Sequence, residues 1–229
     1  MKIFKTLSGQ FRQKSFRQLV ANFRTEYISN GINETTLKES PIDQFEVWFN
    51  EAVSNKLIEP NVMHLSTATP EGKSSSRIML LKGFDERGFI FYTNYDSRKG
   101  IEINQNIYAA MSFLWLKLYK QVRIEGTISR ISNEESDIYF SSRPRGSQIS
   151  SWVSAQSTVI SDRAQLINKS KELEKRFQGM SVPRPENWGG YCLSPQKVEF
   201  WQGRANRLHD RILYSLKNDN SWSRQRLSP

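Results

Sequence analysis

Apolar residues near the start of the chain recur with the spacing of a helix. They stand three or four positions apart, which places them on one helical face. These residues are Ile42, Phe45, Trp48, Phe49, Ala52 and Val53. Ser40 and Pro41 precede them in the order that caps and opens a helix. The pattern predicts a helix from Pro41 to about Leu57.

From Val62 onward, apolar and polar residues alternate over short runs, which is the period of a half-buried strand. Turn sequences such as Pro70-Glu-Gly72 separate the runs, and 84–88 is interpreted as a hairpin turn. Strands are predicted over 62–69, 75–82, 89–93, 109–116, 121–131, 191–193, 198–203 and 211–216.

Further helices are predicted over 97–104, 132–140, 147–154 and 162–177. Ser132 and Glu135 have the spacing of a capping box, which marks one of these helix starts. Short antiparallel strands with helices inserted late in the chain indicate a mainly β protein with flanking helices, of the α+β class, built on a small β-barrel. Residues 24–229 are expected to form a single domain.

The N-terminal segment differs in composition from the rest of the chain. Residues 1–25 include six Lys or Arg residues, and the first acidic residue is Glu26. This composition predicts a flexible basic arm over residues 1–23. An organellar transit peptide has a similar composition and stays open as an alternative.

The 229-residue chain has a net charge of +10, which points to anionic partners. Its basic residues are spread along the sequence in compact clusters, and this favours phosphorylated small molecules over nucleic acid. The single Cys192 fits a reducing compartment, and no apolar run is long enough to cross a bilayer. The expected location is therefore the cytoplasm, with no membrane or nucleic-acid partner.

Three short segments contain groups that bind anions. Arg77-Ile-Met-Leu-Leu-Lys82 is an apolar strand with a cation at each end. Ser97-Arg-Lys99 opens a predicted helix, whose N-terminal N–H groups attract phosphate. In Tyr139–Ser147 a tyrosine, an arginine and a serine converge where a helix ends. The structural alternatives are a strand with charged ends, a capped helix and a basic helix C-terminus.

The segment Glu199–Arg211 collects Trp201, three arginines and His209 within one strand-turn-strand unit. Guanidinium groups bind oxyanions in a fork, an indole can cover a planar ring, and an imidazole titrates near neutral pH. Arg207 and His209 share a strand parity, so both are expected to face one ligand. A solvated basic hairpin is the alternative interpretation of this segment by itself.

Other chemistries have little support in the sequence. His64 and His209 are the only histidines, and no Cys/His spacing suits a metal ion, so no metal site is expected. The motifs of serine hydrolases, P-loop proteins and dinucleotide-binding folds are missing from the sequence. Anion clusters with aromatic covers and few acid–base groups suit a cofactor that performs the chemistry itself.

An ordered set of motifs resembles the pyridoxine (pyridoxamine) 5′-phosphate oxidase family over residues 24–229. The motifs include Arg24-Thr-Glu-Tyr27, Arg77–Lys82, Ser97-Arg-Lys99, Tyr139–Arg145, Trp188-Gly-Gly190, Glu199-Phe-Trp-Gln-Gly203 and Arg207-Leu-His-Asp-Arg211. One motif could arise by chance, but the ordered set is specific. The resemblance implies an FMN-binding split β-barrel, and a homodimer with FMN at the subunit interface.

The resemblance also implies a reaction and the residues that carry it. Pyridoxamine or pyridoxine 5′-phosphate would be oxidised to pyridoxal 5′-phosphate by hydride transfer to FMN N5, with O2 as the final acceptor and H2O2 as product. FMN would contact Arg77, Ile78, Met79, Leu80, Leu81, Lys82, Tyr92, Thr93, Arg98, Lys99, Gln121, Gln156, Ser157, Trp201 and Arg211. The substrate would contact Arg24, Thr25, Glu26, Tyr27, Lys82, Tyr139, Arg143, Ser147, Arg207, Leu208 and His209. The catalytic residues would be Arg207 and His209.

Three rival functions stay open from the sequence. A non-catalytic protein of the same fold could bind FMN or carry pyridoxal 5′-phosphate, although the full set of phosphate ligands argues against it. A related flavin oxidoreductase could act on another substrate. A nucleic-acid-binding protein is supported only by the net charge and the basic N-terminal segment.

Overall fold

The computed structural model describes residues 16–23 and 26–229. Within these residues, nine strands form a single sheet with antiparallel pairing throughout. The strands are β1 (Val62–Ala68), β2 (Ser74–Leu80), β3 (Gly83–Asp85), β4 (Gly88–Asn94), β5 (Tyr108–Trp115), β6 (Lys120–Arg130), β7 (Trp188–Gln202), β8 (Asp210–Leu216) and β9 (Trp222–Arg226). The flanking helices are α1 (Pro41–Ser54), α2 (Arg98–Gln105), α3 (Asn133–Ser142), α4 (Arg145–Val153) and α5 (Arg163–Arg176).

The sheet divides at its longest strand. The strand order is β2-β1-β5-β6-β7-β4-β3, and β8 also pairs with β7 and then with β9. The N-terminal part of β7 pairs with β4 and its C-terminal part pairs with β8, while β6 runs along the whole of its other edge. The sheet therefore forks without closing, and the predicted antiparallel split barrel with flanking helices is confirmed.

The main core lies between α1 and one face of the sheet. Ser40 caps α1 through a hydrogen bond to the Ile42 N–H, as its sequence predicts. Phe45 and Trp48 are buried against alternate residues of the strands, among them Phe113 and Phe200. The helix ends at Ser54, before the predicted Leu57, and Val53 faces solvent. Burial of this apolar face is the main stabilisation of the domain.

A second, smaller core joins α3, α4 and α5. It contains buried apolar residues from the three helices, from the segment that follows α5 and from the start of β7: Phe140, Ile149, Val153, Leu173, Phe177, Val182 and Trp188. The predicted capping box of Ser132 and Glu135 opens α3, and Asp162 caps α5. This core holds the α3–α4 corner beside β4, where several predicted substrate-binding residues lie.

Three elements differ from their sequence predictions. β3 is a three-residue strand that overlaps the start of the predicted hairpin turn, 84–88. β7 is continuous where two strands, 191–193 and 198–203, were predicted. Glu125 and Gly126 of β6 pair with Lys197 and Pro195, so Gln196 is an extra residue that β7 accommodates as a bulge. β9 was missed because its residues Trp222–Arg226 are mostly polar, and pairing with β8 holds it at the edge.

Residues 16–21 form a short helix whose side chains are exposed, and the sequence did not predict it. The predicted flexible arm otherwise falls on residues outside the described part of the chain, as do Arg24 and Thr25. Among the described residues, no helix combines the length and the apolar character that crossing a membrane requires.

Candidate active site

A cleft of about 450 Å³ opens between β2, β4 and the α3–α4 corner. It brings together nine of the predicted ligand-binding residues: Ile78, Met79, Leu80, Lys82, Tyr92, Thr93, Tyr139, Arg143 and Gln156. Asn94, Ser150, Ser151, Ser154 and Trp188 line it as well and were missed. A sequence signal existed for Ser151 and Ser154, since they follow the predicted Ser147 at helical spacing.

Aromatic rings form one wall of this cleft. The rings of Tyr92 and Tyr139 stack in parallel with centroids 3.8 Å apart, and Trp188 continues the stack at 5.6 Å from Tyr92. The guanidinium carbon of Arg143 lies 4.5 Å from the centroid of the Trp188 ring. Burial raises the pKa of Tyr92 to about 12, so its hydroxyl stays protonated at neutral pH.

We call Tyr139, Arg143, Ser151 and Trp188 the Arg143 cluster. Arg143 Nη1 donates to Ser151 Oγ at 2.7 Å, and Arg143 makes no salt bridge within the described part of the chain. Burial lowers the pKa of Arg143, yet a guanidinium keeps its charge at neutral pH. The cluster therefore presents a half-buried cation that no carboxylate neutralises, which is suited to an incoming anion.

A second group of cations surrounds a buried carboxylate beside the cleft. We call Arg77, Arg98, Lys99 and Glu102 the Glu102 cluster. Ser97 caps α2, and the three cations and Glu102 come from β2 and the first turns of α2. Arg77 Nη2 and Arg98 Nε donate to Glu102 at 3.3 Å and 2.9 Å. Three cations and one carboxylate leave a net charge of about +2 at a helix N-terminus, which suits a phosphate.

Lys99 connects the Glu102 cluster to the cleft. Its ammonium group is buried and donates to Thr93 Oγ1 at 3.2 Å, Ser97 Oγ at 3.1 Å and Gln156 Oε1 at 3.0 Å. Thr93 and Gln156 line the cleft. Burial, together with the charge of Arg77, lowers the pKa of Lys99 to about 8. The lysine is therefore charged at neutral pH but close to its titration point.

Gln121, Trp201 and Arg211 form a row across three neighbouring strands. Gln121 pairs with Trp201 between β6 and β7, and Trp201 pairs with Arg211 between β7 and β8. Cross-strand partners point to the same side of a sheet, and these residues alternate with the buried Val122, Phe200 and Ile212. The row therefore lies on the sheet face opposite the main core.

The predicted catalytic residues lie beside this row. The Trp201 and His209 rings have centroids 4.7 Å apart, and Tyr27 packs edge-on against both. His209 Nδ1 accepts the Arg204 backbone N–H at 3.1 Å, which assigns the proton of the neutral ring to Nε2. Burial and the neighbouring Arg207 lower the pKa of His209. A neutral imidazole with a donor at Nε2 results.

The strand-parity argument for Arg207 and His209 is wrong. Arg207 ends a 3-10 turn (Ala205–Arg207) with a φ of 61°, and His209 precedes β8, so neither belongs to a strand. The left-handed backbone of a non-glycine residue is sparsely populated and clusters at functional sites. The two side chains are neighbours through this turn, which periodicity along the chain could not predict.

The remaining predicted residues are dispersed. Gln121 lines a separate cavity of about 560 Å³ that shares Ile78 with the cleft. Leu81 is buried in the main core, and Leu208 is exposed. Ser147 lies in the first turn of α4, and Ser157 has a φ of 75° in an exposed loop. The cleft of one chain thus lacks Trp201, His209 and Arg211 among its lining residues.

The sequence matches two family models. The model described as pyridoxamine 5′-phosphate oxidase covers residues 49–177. The model described as the pyridoxine 5′-phosphate oxidase C-terminal dimerisation region covers residues 188–229. The second match, which includes β7, β8 and β9, supports a homodimer.

Curated relatives agree with these models. The chain is 50% identical to a pyridoxine/pyridoxamine 5′-phosphate oxidase of Gloeothece citriformis, covering 93% of this chain and 99% of that protein. It is 53% identical to the enzyme of the same name from Rubrobacter xylanophilus, covering 93% and 98%.

Solved structures share the fold. PhzG from Burkholderia lata, solved with tetrahydrophenazine-1-carboxylic acid, has a TM-score of 0.82 at 31% identity, covering 87% of this chain and 98% of that one. A pyridoxamine 5′-phosphate oxidase-related, FMN-binding protein from Nostoc punctiforme has a TM-score of 0.66 at 17% identity, over 84% of this chain and 100% of that one. The resemblance seen in the ordered motifs is confirmed by the two family models and the curated relatives: the chain belongs to the pyridoxamine 5′-phosphate oxidase family.

Proposed function

We propose that this protein oxidises pyridoxamine 5′-phosphate and pyridoxine 5′-phosphate to pyridoxal 5′-phosphate with FMN as cofactor. The observation that carries the proposal is a pair of cationic clusters at one cleft. The Arg143 cluster lines the cleft, and the Glu102 cluster reaches it through Lys99, Thr93 and Gln156. A reaction between two phosphorylated molecules needs two such clusters, since each phosphate requires its own cations.

The donors around the cleft fit FMN. Arg98, Lys99 and the N-terminus of α2 would hold the FMN phosphate, and the backbone and side chains of Ile78–Leu80 offer an apolar edge for the ring system. Bound FMN would supply the two-electron acceptor, taking a hydride at N5 and passing the electrons to O2 with formation of H2O2. The chain itself offers few acid–base groups in the cleft, which agrees with a reaction whose redox chemistry the cofactor supplies.

The substrate phosphate is assigned to Lys82, Tyr139 and Arg143. Because the two clusters would hold the two phosphates at separate places, they would orient the substrate relative to the flavin. The neutral His209 would donate from Nε2 to a polar group of the substrate, and Arg207 would add positive charge beside it. The Arg143 contact is expected to act mainly on substrate binding, whereas Arg207 acts on turnover.

We further propose that each active site is shared between two subunits. The row of Gln121, Trp201 and Arg211 lies outside the cleft of its own chain. Trp201 and Arg211 fall within the region that matches the dimerisation model, and Gln121 precedes it. The cavity beside Gln121 is lined by exposed apolar residues: Ile58, Ile78, Leu114 and Leu116. Such a patch suits burial in a homodimer, where two-fold symmetry would bring the row of one subunit to the cleft of the other.

The activity is tested by spectroscopy of the purified protein with FMN. Pyridoxamine 5′-phosphate added without oxygen is expected to bleach the flavin absorbance, and air is expected to restore it with formation of H2O2 and pyridoxal 5′-phosphate. Unphosphorylated pyridoxamine is the control and should bleach the flavin far more slowly. A flavin spectrum that none of the phosphorylated substrates changes would contradict the proposed substrate class and favour a flavin binder or a related oxidoreductase.

The shared site is tested by mixing two impaired variants and assaying them at a substrate concentration far below the raised KM of Arg143→Ala, where each variant alone has little activity. Arg143→Ala removes a cleft residue, and Arg207→Ala removes an exposed residue beside the row. If the site is shared, random mixed dimers should contain one intact site of two, which restores about a quarter of wild-type sites. Mixing after separate refolding without subunit exchange is the control. Activity that does not recover in exchanged mixtures would place each site within one chain.

A further inference from the structure

We infer that Glu102 is a positioning residue that sets the recognition of the cofactor phosphate by holding Arg98 in place across the start of α2. The inference rests on the proposed function, since it assigns the Glu102 cluster to that phosphate. Glu102 lies outside the set of cofactor and substrate ligands that the family motifs predict. Its role follows from its contacts in this structure.

All of the contacts of Glu102 are made inside the protein. Oε2 accepts from Thr67 Oγ1 at 2.5 Å, from Ser75 Oγ at 2.6 Å and from Arg77 Nη2 at 3.3 Å. Oε1 accepts from Arg98 Nε at 2.9 Å. Only 4% of the Glu102 side chain is exposed. A carboxylate this well buried is tolerated because each oxygen is paired, and the same pairing fixes its orientation.

The two arginines beside Glu102 differ in how many of their guanidinium N–H donors are available to a ligand. Arg77 donates from Nη1 to the Leu65 carbonyl and Thr67, and from Nη2 to Ser75 and Glu102. Arg98 is 65% exposed at its side chain and donates only from Nε; Nη1 and Nη2 have no hydrogen-bond partner within 16–23 and 26–229. Arg77 thus supports the carboxylate, while Arg98 keeps the pair of nitrogens that binds phosphate in a fork.

The charges leave a matching site for a dianion. Arg77 and Glu102 neutralise one another, so that Arg98 and Lys99 provide a net charge of about +2 for a phosphate of about −2. Hydrogen bonds from Ser75, Thr67 and Arg98 outweigh burial and lower the pKa of Glu102 to about 2. Glu102 therefore stays ionised through the range in which a flavoenzyme operates.

Positioning and simple electrostatics make opposite predictions. If Glu102 acted only as a negative charge near the phosphate, replacing it by glutamine would raise the local positive charge and tighten FMN binding. If it positions Arg98, the same replacement would release the arginine side chain and weaken FMN binding. The side chain would then lose its conformational freedom when FMN binds, and this loss makes the free energy of binding less favourable. The two cases are separated by the sign of the change.

The test measures the affinity of the apoprotein for FMN and for riboflavin, which lacks the phosphate. Glu102→Gln is expected to raise the Kd for FMN about tenfold, which corresponds to the free energy of one charge-assisted hydrogen bond. The Kd for riboflavin should stay unchanged. Glu135→Gln is the matched control: Glu135 also pairs with an arginine, Arg87, but this pair is partly exposed at the start of α3 and does not contact the Glu102 cluster, so neither Kd should change. Unchanged or tighter FMN binding by Glu102→Gln would overturn the inference.

A double mutant shows whether Glu102 acts through Arg98. Arg98→Ala alone should weaken FMN binding, and Glu102→Gln added to it should cause little further loss, since coupled residues are non-additive. Additive losses would overturn the inference. If Glu102→Gln does not fold, Glu102→Asp keeps the charge but shortens the reach to Arg98, and the same phosphate-specific loss is expected from it. A wild-type protein that binds riboflavin as tightly as FMN would instead refute the phosphate assignment itself.

Discussion

The Glu102 cluster and the Arg143 cluster both gather cations beside one cleft, but they are held in place by different chemistry. In the Glu102 cluster a buried carboxylate pairs with two arginines. In the Arg143 cluster no carboxylate takes part among the described residues, and Arg143 is held by the Trp188 ring and the Ser151 hydroxyl. One cluster is ordered by opposite charge and the other by aromatic packing.

The difference suits two kinds of ligand. A cluster that is ordered in advance loses little entropy on binding, which favours the high affinity that a resident cofactor requires. A half-buried arginine with neutral partners gains its counter-charge only when the ligand arrives, so its contribution depends on occupancy by substrate. We therefore expect mutations in the first cluster to change retention of FMN and mutations in the second to change KM.

The largest effect is expected from Arg143→Ala. Loss of a guanidinium that binds phosphate through charge-assisted hydrogen bonds should raise KM for pyridoxamine 5′-phosphate about 30- to 100-fold, with a much smaller change in kcat. Steady-state kinetics at saturating FMN measure both constants. Arg176→Ala, which removes an exposed arginine over the Trp152 ring in the same group of helices, should leave KM near the wild-type value. A fall in kcat at constant KM would contradict a role in phosphate binding.

A smaller effect is expected from the titration of Lys99. The pKa of this lysine is lowered to about 8 by burial and by Arg77, with Glu102 acting in the opposite direction. Lys99 is therefore protonated below about pH 8 and loses its charge as the pH rises further. A bound phosphate favours the protonated form, so FMN affinity should fall about tenfold between roughly pH 7 and pH 9.5.

The same titration with riboflavin provides the comparison, since riboflavin carries no phosphate and should show no fall over this range. Lys99→Met should abolish the pH dependence of FMN binding and resemble wild type at high pH. If FMN affinity in the variant still fell above pH 8, Lys99 would not be the titrating group. If the FMN affinity of the wild-type protein stayed constant over this pH range, the Glu102 cluster would not differ from the Arg143 cluster in its response to pH.

The smallest effect is expected from Trp188→Phe. Phenylalanine attracts a cation less strongly than tryptophan does, and the lost attraction at a partly exposed arginine should raise KM about threefold. Thermal unfolding should be measured as well, because Trp188 is also buried in the smaller core. Trp152→Phe makes the same substitution under Arg176 and should lower the stability without a change in KM. Equal KM in the two variants would mean that the ring does not orient Arg143.

Much of the fold was predictable because its signals are local. The caps at Ser40, Ser132 and Asp162 lie at helix starts in the structure, and most strands begin or end within two residues of their predicted bounds. The missed β9 has no apolar alternation, so only its pairing with β8 makes it a strand. β7 is continuous because pairing with β6 tolerates the extra residue Gln196, and the local pattern of β7 does not show this pairing.

From the amino-acid sequence we could predict the family, the helix caps, the alternation of the strands and most of the groups that line the cleft. These features depend on residue type and on spacing along the chain, and both can be read without coordinates. The pairing of individual cations with carboxylates could not be predicted, because it depends on the folded arrangement. Glu102 meets Thr67, Ser75 and Arg77 because α2 packs beside β1 and β2, and Trp188 lies under Arg143 because β7 passes beside the end of α3. Such contacts join residues far apart in sequence, and charge compensation depends on distance in space.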